Sequence, residues 1–365
     1  MKLPLIAING RFLTQAVTGV QRYAVEMVLE LLRFPWRFRF VVVAPPGRLI
    51  SEVPNLIQDK FPIGGHIWEQ IRLPYLINKY KANLLWCPGN TGPIYNLGVP
   101  MVLTLHDAAP FAGPEWFSPS FKIFYHFIIP LVVRAASRII TVSKFSRQEL
   151  LKYKIVRESE NINVIYNGIV PLAAEGNWFD NKTEILQGKK YVFSVGSRDP
   201  RKNMSRLVLA WNNVREEIKN GRTLAIAGKA AKAFAKEKFP NIPKDVVFLG
   251  YIPDDLLFSW YKRADAFVFP SLYEGFGLPA IEAMSCSTPV LVSNKGSLPE
   301  ICGDAALYCN PYNVTDIADK LSQLLTDKIL VEELRKRGIE RAKLFSWGKS
   351  AKQIIDIFED VLRNH

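Results

Sequence analysis

The sequence predicts an α/β protein built from two doubly wound domains, and three observations carry that expectation. The chain has 365 residues, whereas a single hydrophobic core stops growing near about 250–300 residues. Short, uniformly apolar runs alternate with helix-like segments along its whole length. The alternation breaks once, in the small and polar stretch PLAAEGNWFDNKTEILQGKK.

Taken in order, the strand-like runs are LPLIAING, FRFVVVAP, LLWCP, MVLTLHD, RIITVS and NVIYNG before the break, then YVFSVGS, TLAIAG, VVFLGYI, AFVFPS and PVLVSN after it. Strands apolar on both faces belong to parallel sheets, because each crossover lays a helix over the sheet. The break sets a first domain at 1–172 and a second at 173–346. A last helix, from about Trp347 to Arg363 within 347–365, is expected to pack back on the first domain.

Composition narrows the class. With 48% hydrophobic and 22% charged residues the chain reads as an ordinary globular protein, not a disordered one. Its four cysteines have no CxxC spacing and lie in apolar stretches, so neither a zinc site nor a disulfide framework is expected, and a cytoplasmic location fits. The opening MKLPLIAING reads as a short strand, so no secretion signal is expected. The apolar stretch Ile123 to Val133 is about half a bilayer span and contains His126 and Pro130. It is read as a buried helix, with contact to a membrane surface as the alternative.

The net charge of +13 is uneven, since residues 1–172 hold 19 Lys+Arg against 10 Asp+Glu. An anionic partner for that half follows, either anionic lipid headgroups or a lipid-pyrophosphate acceptor. No nucleic acid is expected, because no long basic run or nucleic-acid motif accompanies the charge.

Ligands of open parallel sheets bind beyond the carboxyl ends of the strands. The loops after Val195, Gly250 and Ser271 are therefore where chemistry is expected, facing a cleft between the domains. PSLYEGFGLPAIEAM runs from a buried strand through a glycine-rich turn into a helix starting near Leu278-Pro279. Glu274 falls in the turn and Glu282 in the early helix, both near a helix N-terminus that favours ionised carboxylates able to accept bonds from sugar or ribose hydroxyls. The glycines beside Phe276 let backbone approach a ligand, and the N–H groups of Gly277 and Leu278 could cradle an anion. The plainer reading is a strand-turn-helix with solvated glutamates.

VGSRDPRKN again follows a strand and opens a helix, placing Arg198, Arg201 and Lys202 where a diphosphate would meet them. A solvated basic loop is the alternative. His106, ending the strand-like TLHD, reads as a cleft residue, or else as a structural hydrogen-bonding one; Asp107 either orients it or caps the next turn of chain. His66, in GGHIWEQ, reads as acceptor-side or structural, His126 as packing within its helix, and Trp86, Trp116 and Trp347 as packing residues.

The combination SLYEGFGLPAIEAMSCSTPVLVSN, with its Glu-x7-Glu spacing, VGSRDPRKN, FLGYIPD, TGVQRY, TLHD and ITVSKFSRQEL covers nearly the whole chain in order. It resembles the retaining GT-B glycosyltransferases of family 4, and within them bacterial mannosyltransferases of O-antigen and other surface polysaccharides. The resemblance implies a GT-B fold, two Rossmann-like domains facing each other across a cleft, with acceptor bound by the first and donor by the second. It implies that Lys202 and a nearby arginine, Arg198 or Arg201, bind the donor diphosphate, and that Glu282 holds the ribose. Glu274 would lie beside the donor sugar, with the backbone of Phe276, Gly277 and Leu278 meeting sugar and phosphate. The backbone of Tyr251 and Ile252 would meet the base, Gly19 with Val20 would approach the phosphates, and His106 would reach the reacting sugar. Many relatives carry an arginine where this chain has Ser197, which leaves the second cationic contact to Arg198 or Arg201.

The implied reaction is a metal-independent, same-face transfer with no cofactor, using a nucleotide-diphosphate sugar, GDP-mannose first, and a glycan or undecaprenyl-pyrophosphate-linked acceptor. No DxD motif occurs. The expected place is the cytoplasm, with peripheral contact at the inner face of the plasma membrane as the alternative. One rival is a nucleotide-sugar-binding protein without transferase activity. Another is a dinucleotide-dependent oxidoreductase, whose GxGxxG after the first strand is missing from INGRFLTQAVTG.

Overall fold

The computed structural model describes residues 3–157, 162–169, 186, 188–196, 199–228 and 242–365. The chain divides into two compact units: Met1–Ala112 with Lys122–Gly168 and Ser346–His365, and Gly113–Phe121 with Ile169–Phe345.

The first unit holds strands β1 (Leu5–Asn9), β2 (Arg39–Ala44), β3 (Leu56–Gln58), β4 (Leu84–Cys87), β5 (Met101–Thr104), β6 (Arg138–Thr141) and β7 (Ile162–Val164). They order as β3-β2-β1-β4-β5-β6-β7, every pair parallel. The second holds β8 (Tyr191–Val195), β9 (Thr223–Ala227), β10 (Val246–Gly250), β11 (Ala266–Phe269), β12 (Val290–Ser293) and β13 (Leu307–Cys309). These order as β10-β9-β8-β11-β12-β13, again all parallel. Central strands such as β4, β5, β9, β11 and β12 are buried along their whole length, as helices on both faces require. In each sheet the order reverses at one place, between β1 and β4 and between β8 and β11, and such a switch point opens a crevice at the carboxyl edge.

Two strands escape the sequence reading. β3 and β13 have three residues each and lie on sheet edges, and their partial burial leaves no long apolar run.

The helix Trp347–Arg363 belongs to the first unit and buries Trp347, Ala351, Ile354, Ile355 and Phe358 on one face. Phe358 meets Trp86 and Phe38, with ring centroids 6.1 and 6.2 Å apart. Ser350 Oγ donates to the Tyr166 carbonyl at 2.6 Å, and Arg138 pairs with Asp360 at 2.6 Å.

Placing all of 1–172 in one domain needs correction at Gly113–Phe121, which groups with the second unit. Aromatic contacts are the reason: the Trp116 ring lies 5.8 Å from that of Tyr273, and the Arg201 guanidinium sits 5.3 Å from the Phe117 ring centroid. The apolar stretch Ile123 to Val133 also differs from a fully buried helix. It lies within Pro119–Ala135, of which only Ile128, Ile129 and Val132 are buried, while Ile123 and Phe127 are 70% and 68% exposed. Among the described residues no helix is long and apolar enough to cross a membrane.

Candidate active site

The switch point of the second sheet is where the two sequence clusters meet. After β8 the chain passes Gly196; Ser197 and Arg198 lie outside the described residues, so Arg198 has no described position. Asp199, fully buried, accepts from the Arg201 N–H at 3.0 Å and from its Nε and Nη2 at 2.9 and 2.7 Å. This fixes the 3-10 turn Pro200–Lys202 and commits the Arg201 guanidinium to a protein carboxylate. Asn203 takes left-handed backbone, φ 60°, a conformation asparagine tolerates better than most residues. Its side chain donates to the carbonyls of Pro270 at 3.0 Å and Pro311 at 2.7 Å, and Leu272 N donates to the Arg201 carbonyl at 2.7 Å. The loops after β8 and β11 are thus stitched together.

That stitching sets Lys202 against Glu274. Lys202 Nζ donates to Glu274 Oε1 at 2.7 Å and lies 4.9 Å from the Phe269 ring centroid. The two side chains keep 17% and 11% of their surface. A Cβ on Gly196 would come 2.9 Å from the Lys202 Cβ, so glycine there lets the lysine close down on the strand end. Ser297 N donates to the Glu274 carbonyl at 3.2 Å.

Gly277, at φ +96°, caps the helix Leu278–Ser285, with Pro279 in its first turn. Only glycine enters that conformation without strain. Phe276 is buried edge-to-face on Phe345, 5.5 Å between centroids. Glu282 lies past the first turn, where the helix dipole has faded; the helix carries no acidic residue in that turn, which corrects the dipole argument for this residue. Glu282 is instead buried, with the Tyr261 hydroxyl donating to Oε2 at 3.1 Å. Tyr251 and Ile252 follow β10, two places from β8 in the sheet. Tyr251 is exposed and Ile252 buried.

In the first unit, His106 follows β5 and is buried. Its Nε2 bonds the Pro88 carbonyl at 2.9 Å, which assigns the proton to Nε2. Tyr23 packs edge-on, 4.6 Å between ring centroids. Burial lowers the His106 pKa, only partly opposed by the Pro88 bond and the Asp107 charge, so the ring is neutral near pH 7. Asp107 caps the turn after it, accepting from Ala109 N at 2.8 Å. Gly19 and Val20 open the helix Gly19–Leu31, where Thr18 N donates to Gln21 Oε1 at 3.1 Å. A Cβ on Gly19 would meet nothing within 4 Å. His126 stacks on Phe111 at 4.3 Å, and its Nε2 lies 2.7 Å from the Pro110 carbonyl.

The sequence reading missed a buried ionic cluster at the first sheet's own switch point. Arg11 Nε lies 2.9 Å from Glu69 Oε1, their side chains 8% and 1% exposed. Asn9 Nδ2 donates to Glu69 at 2.7 Å, Thr91 Oγ1 at 3.1 Å, and Arg11 Nη2 donates to Thr91 at 2.7 Å. Burial raises the Glu69 pKa, but Arg11, then the neighbouring His66 and Asn9, more than offset it, and the carboxyl is held below its ordinary range. The available signal was positional: Glu69 shares the buried helix face of Leu73, Leu76 and Ile77. Among the described residues no cluster of three His, Cys, Asp or Glu could hold a metal.

Two doubly wound units with all-parallel sheets are the architecture of the GT-B fold class. Residues 17–171 match Glycosyltransferase Family 4 and residues 178–345 match Glycosyl transferases group 1. O-antigen chain mannosyltransferase B of Escherichia coli is 31% identical over 94% of this chain and 96% of its own length. O-antigen chain mannosyltransferase RfbU of Salmonella typhimurium is 30% identical over 73% of each. Among solved structures, sucrose-phosphate synthase from Thermosynechococcus elongatus superposes with a TM-score of 0.75 at 19% identity over 100% of both chains. HepE of Anabaena in complex with UDP-glucose gives 0.73 at 16% identity, over 98% of this chain and 100% of its own. The chain belongs to glycosyltransferase family 4.

Proposed function

We propose that this glycosyltransferase moves mannose, with retention of configuration, from GDP-mannose to a glycan or an undecaprenyl-pyrophosphate-linked oligosaccharide in surface-polysaccharide synthesis. The observation that carries the reading is the Lys202–Glu274 contact of 2.7 Å at the second switch point, in a chain whose relatives are named mannosyltransferases of O-antigen chains. Cleaving a sugar–phosphate bond leaves negative charge on the departing diphosphate, and the largest gain comes from stabilising that charge. Lys202 and the N–H groups opening Leu278–Ser285 supply it without a metal. The second cation is Arg198 or Arg201, the latter already held by Asp199. Glu274, carrying no nucleophilic role, keeps the lysine in place and accepts from the donor sugar's hydroxyls. Glu282 holds the ribose, and the backbone of Tyr251 and Ile252 the base. His106 serves the reacting sugar from the first unit, with Gly19 and Val20 near the phosphates. Transfer runs on one face through an oxocarbenium-like state.

The first unit also presents Ile67, Ile71 and Tyr75 at successive helical turns, with Ile123 and Phe127, all exposed. Together with its basic charge this suits peripheral contact with the anionic inner face of the plasma membrane, readable as flotation with anionic vesicles that salt abolishes.

Lys202→Ala tests the core of the proposal. GDP release from GDP-mannose should fall at least about 100-fold and GDP should bind more weakly, with melting temperature little changed. Wild-type turnover in that variant would remove Lys202 from the chemistry. Thermal-shift screening of GDP-, UDP- and dTDP-sugars identifies the donor, because a ligand bound only by the native state raises the melting temperature.

A further inference from the structure

We infer that the segment Gly113–Phe121 is a strap that positions the diphosphate end of the donor site, with Trp116 holding the loop of Glu274 and Phe117 the loop of Lys202. The inference rests on the proposed transferase function and adds positioning residues from a stretch outside the motifs. The segment leaves the first unit after Ala112 and rejoins it at Lys122, yet it groups with the second unit. Its partners there are specific. The Trp116 ring lies 5.8 Å from that of Tyr273, tilted by 48°, and Tyr273 directly precedes Glu274. The Phe117 ring centroid lies 5.3 Å from the Arg201 guanidinium, and Arg201 directly precedes Lys202.

These contacts close a ring. Trp116 meets Tyr273, which is peptide-bonded to Leu272; Leu272 N donates to the Arg201 carbonyl at 2.7 Å; Arg201 meets Phe117, the chain neighbour of Trp116. Lys202 and Glu274 each follow one member of that ring, so their 2.7 Å contact inherits its geometry. The strap itself is braced twice. A Cβ on Gly113 would come 2.3 Å from Trp116 Cε3, so glycine lets the indole fold back over its own 3-10 turn, Pro114–Trp116. Phe117 stacks on Phe121 with centroids 5.0 Å apart and planes 8° from parallel, which anchors it to the helix Pro119–Ala135. Phe117 and Tyr273 are buried, and a cation over an aromatic face is held more strongly where water is excluded. Asp199 grips the guanidinium through Nε and Nη2 while the Phe117 ring lies against it, so Arg201 is fixed from two directions.

The test compares wild type with Phe117→Leu, Trp116→Leu and the conservative Trp116→Phe. It reads amide exchange at Leu272 in ligand-free protein, calorimetric Kd for GDP and for inorganic pyrophosphate, kcat and KM for GDP release from GDP-mannose, and melting temperature. Expected for both Leu variants are Leu272 exchange about 10-fold faster and GDP and pyrophosphate binding about 10-fold weaker, the loss of one aromatic contact. The donor KM should rise more than kcat falls, with the melting temperature little changed. Trp116→Phe, which keeps a ring, should recover most of the loss. On an Arg201→Gln background Phe117→Leu should cost no further affinity, because its contact is already gone. Unchanged Leu272 exchange or unchanged affinity in both Leu variants overturns the strap and leaves the transferase reading standing. An equal loss from Phe117→Leu with and without Arg201 overturns the route through that arginine. Wild-type protein that binds neither GDP nor pyrophosphate overturns the donor site and, with it, the positioning role.

Discussion

The two sheets wind alike, yet their switch points are furnished in opposite ways. In the first, a guanidinium and a carboxylate neutralise each other out of contact with water, at 8% and 1% exposure. In the second, an ammonium and a carboxylate meet at the rim, at 17% and 11%, on a glycine-framed backbone. A sealed pair fixes loop geometry and offers a ligand only the neutral groups around it. A pair that keeps more of its surface has more room to exchange partners. One topology therefore carries a covered ion pair at one switch point and a less covered one at the other.

Removing one carboxylate from each pair tests this contrast most strongly. Glu69→Ala strands a buried arginine and should cost about 3–5 kcal/mol, whereas Glu274→Ala should cost at most about 1 kcal/mol. Urea unfolding of the two variants measures the difference, and equal losses would erase the distinction between sealed and accessible pairs. Next in size, Gly277→Ala forces a side chain into φ +96° with its Cβ 2.6 Å from Leu298 Cδ2. A loss of about 1–3 kcal/mol is expected, with weakened GDP binding in calorimetry; unaltered stability and binding would mean the glycine frame is dispensable.

The smallest effect concerns pH in the first unit. Because burial lowers the folded His106 pKa, the unfolded chain takes up the proton more readily. The stabilisation is complete above the unfolded value of about 6.5 and is lost as pH falls toward the lower folded one. Glu69, also lowered, titrates in a more acidic window, below its ordinary value of 4.5. Melting temperatures from about pH 7 to about pH 5 should therefore decline in wild type and flatten in His106→Gln; an identical decline in both would assign the slope elsewhere.

Much of this was legible because local rules and global fold agree. Lys202 and Glu274 could be found since each sits just past an apolar strand, where a parallel sheet exposes its loops. Their mutual contact could not, because it depends on Asn203 reaching two carbonyls far along the chain. The Arg11–Glu69 pair was missed for a related reason: helical position marks Glu69 as buried, but not which arginine faces it. Trp116 was read as a packing residue within 1–172, and its ring set against Tyr273, with Phe117 against Arg201, attaches the segment to the other unit.

The returning helix Trp347–Arg363 has a consequence for biosynthesis. Every residue of the second unit has been added to the chain by Phe345, while the first still awaits Ser346–His365. The half translated first is thus completed last, and released chains ending at Phe345 should keep the second unit's cooperative melting while the first unit's is lost.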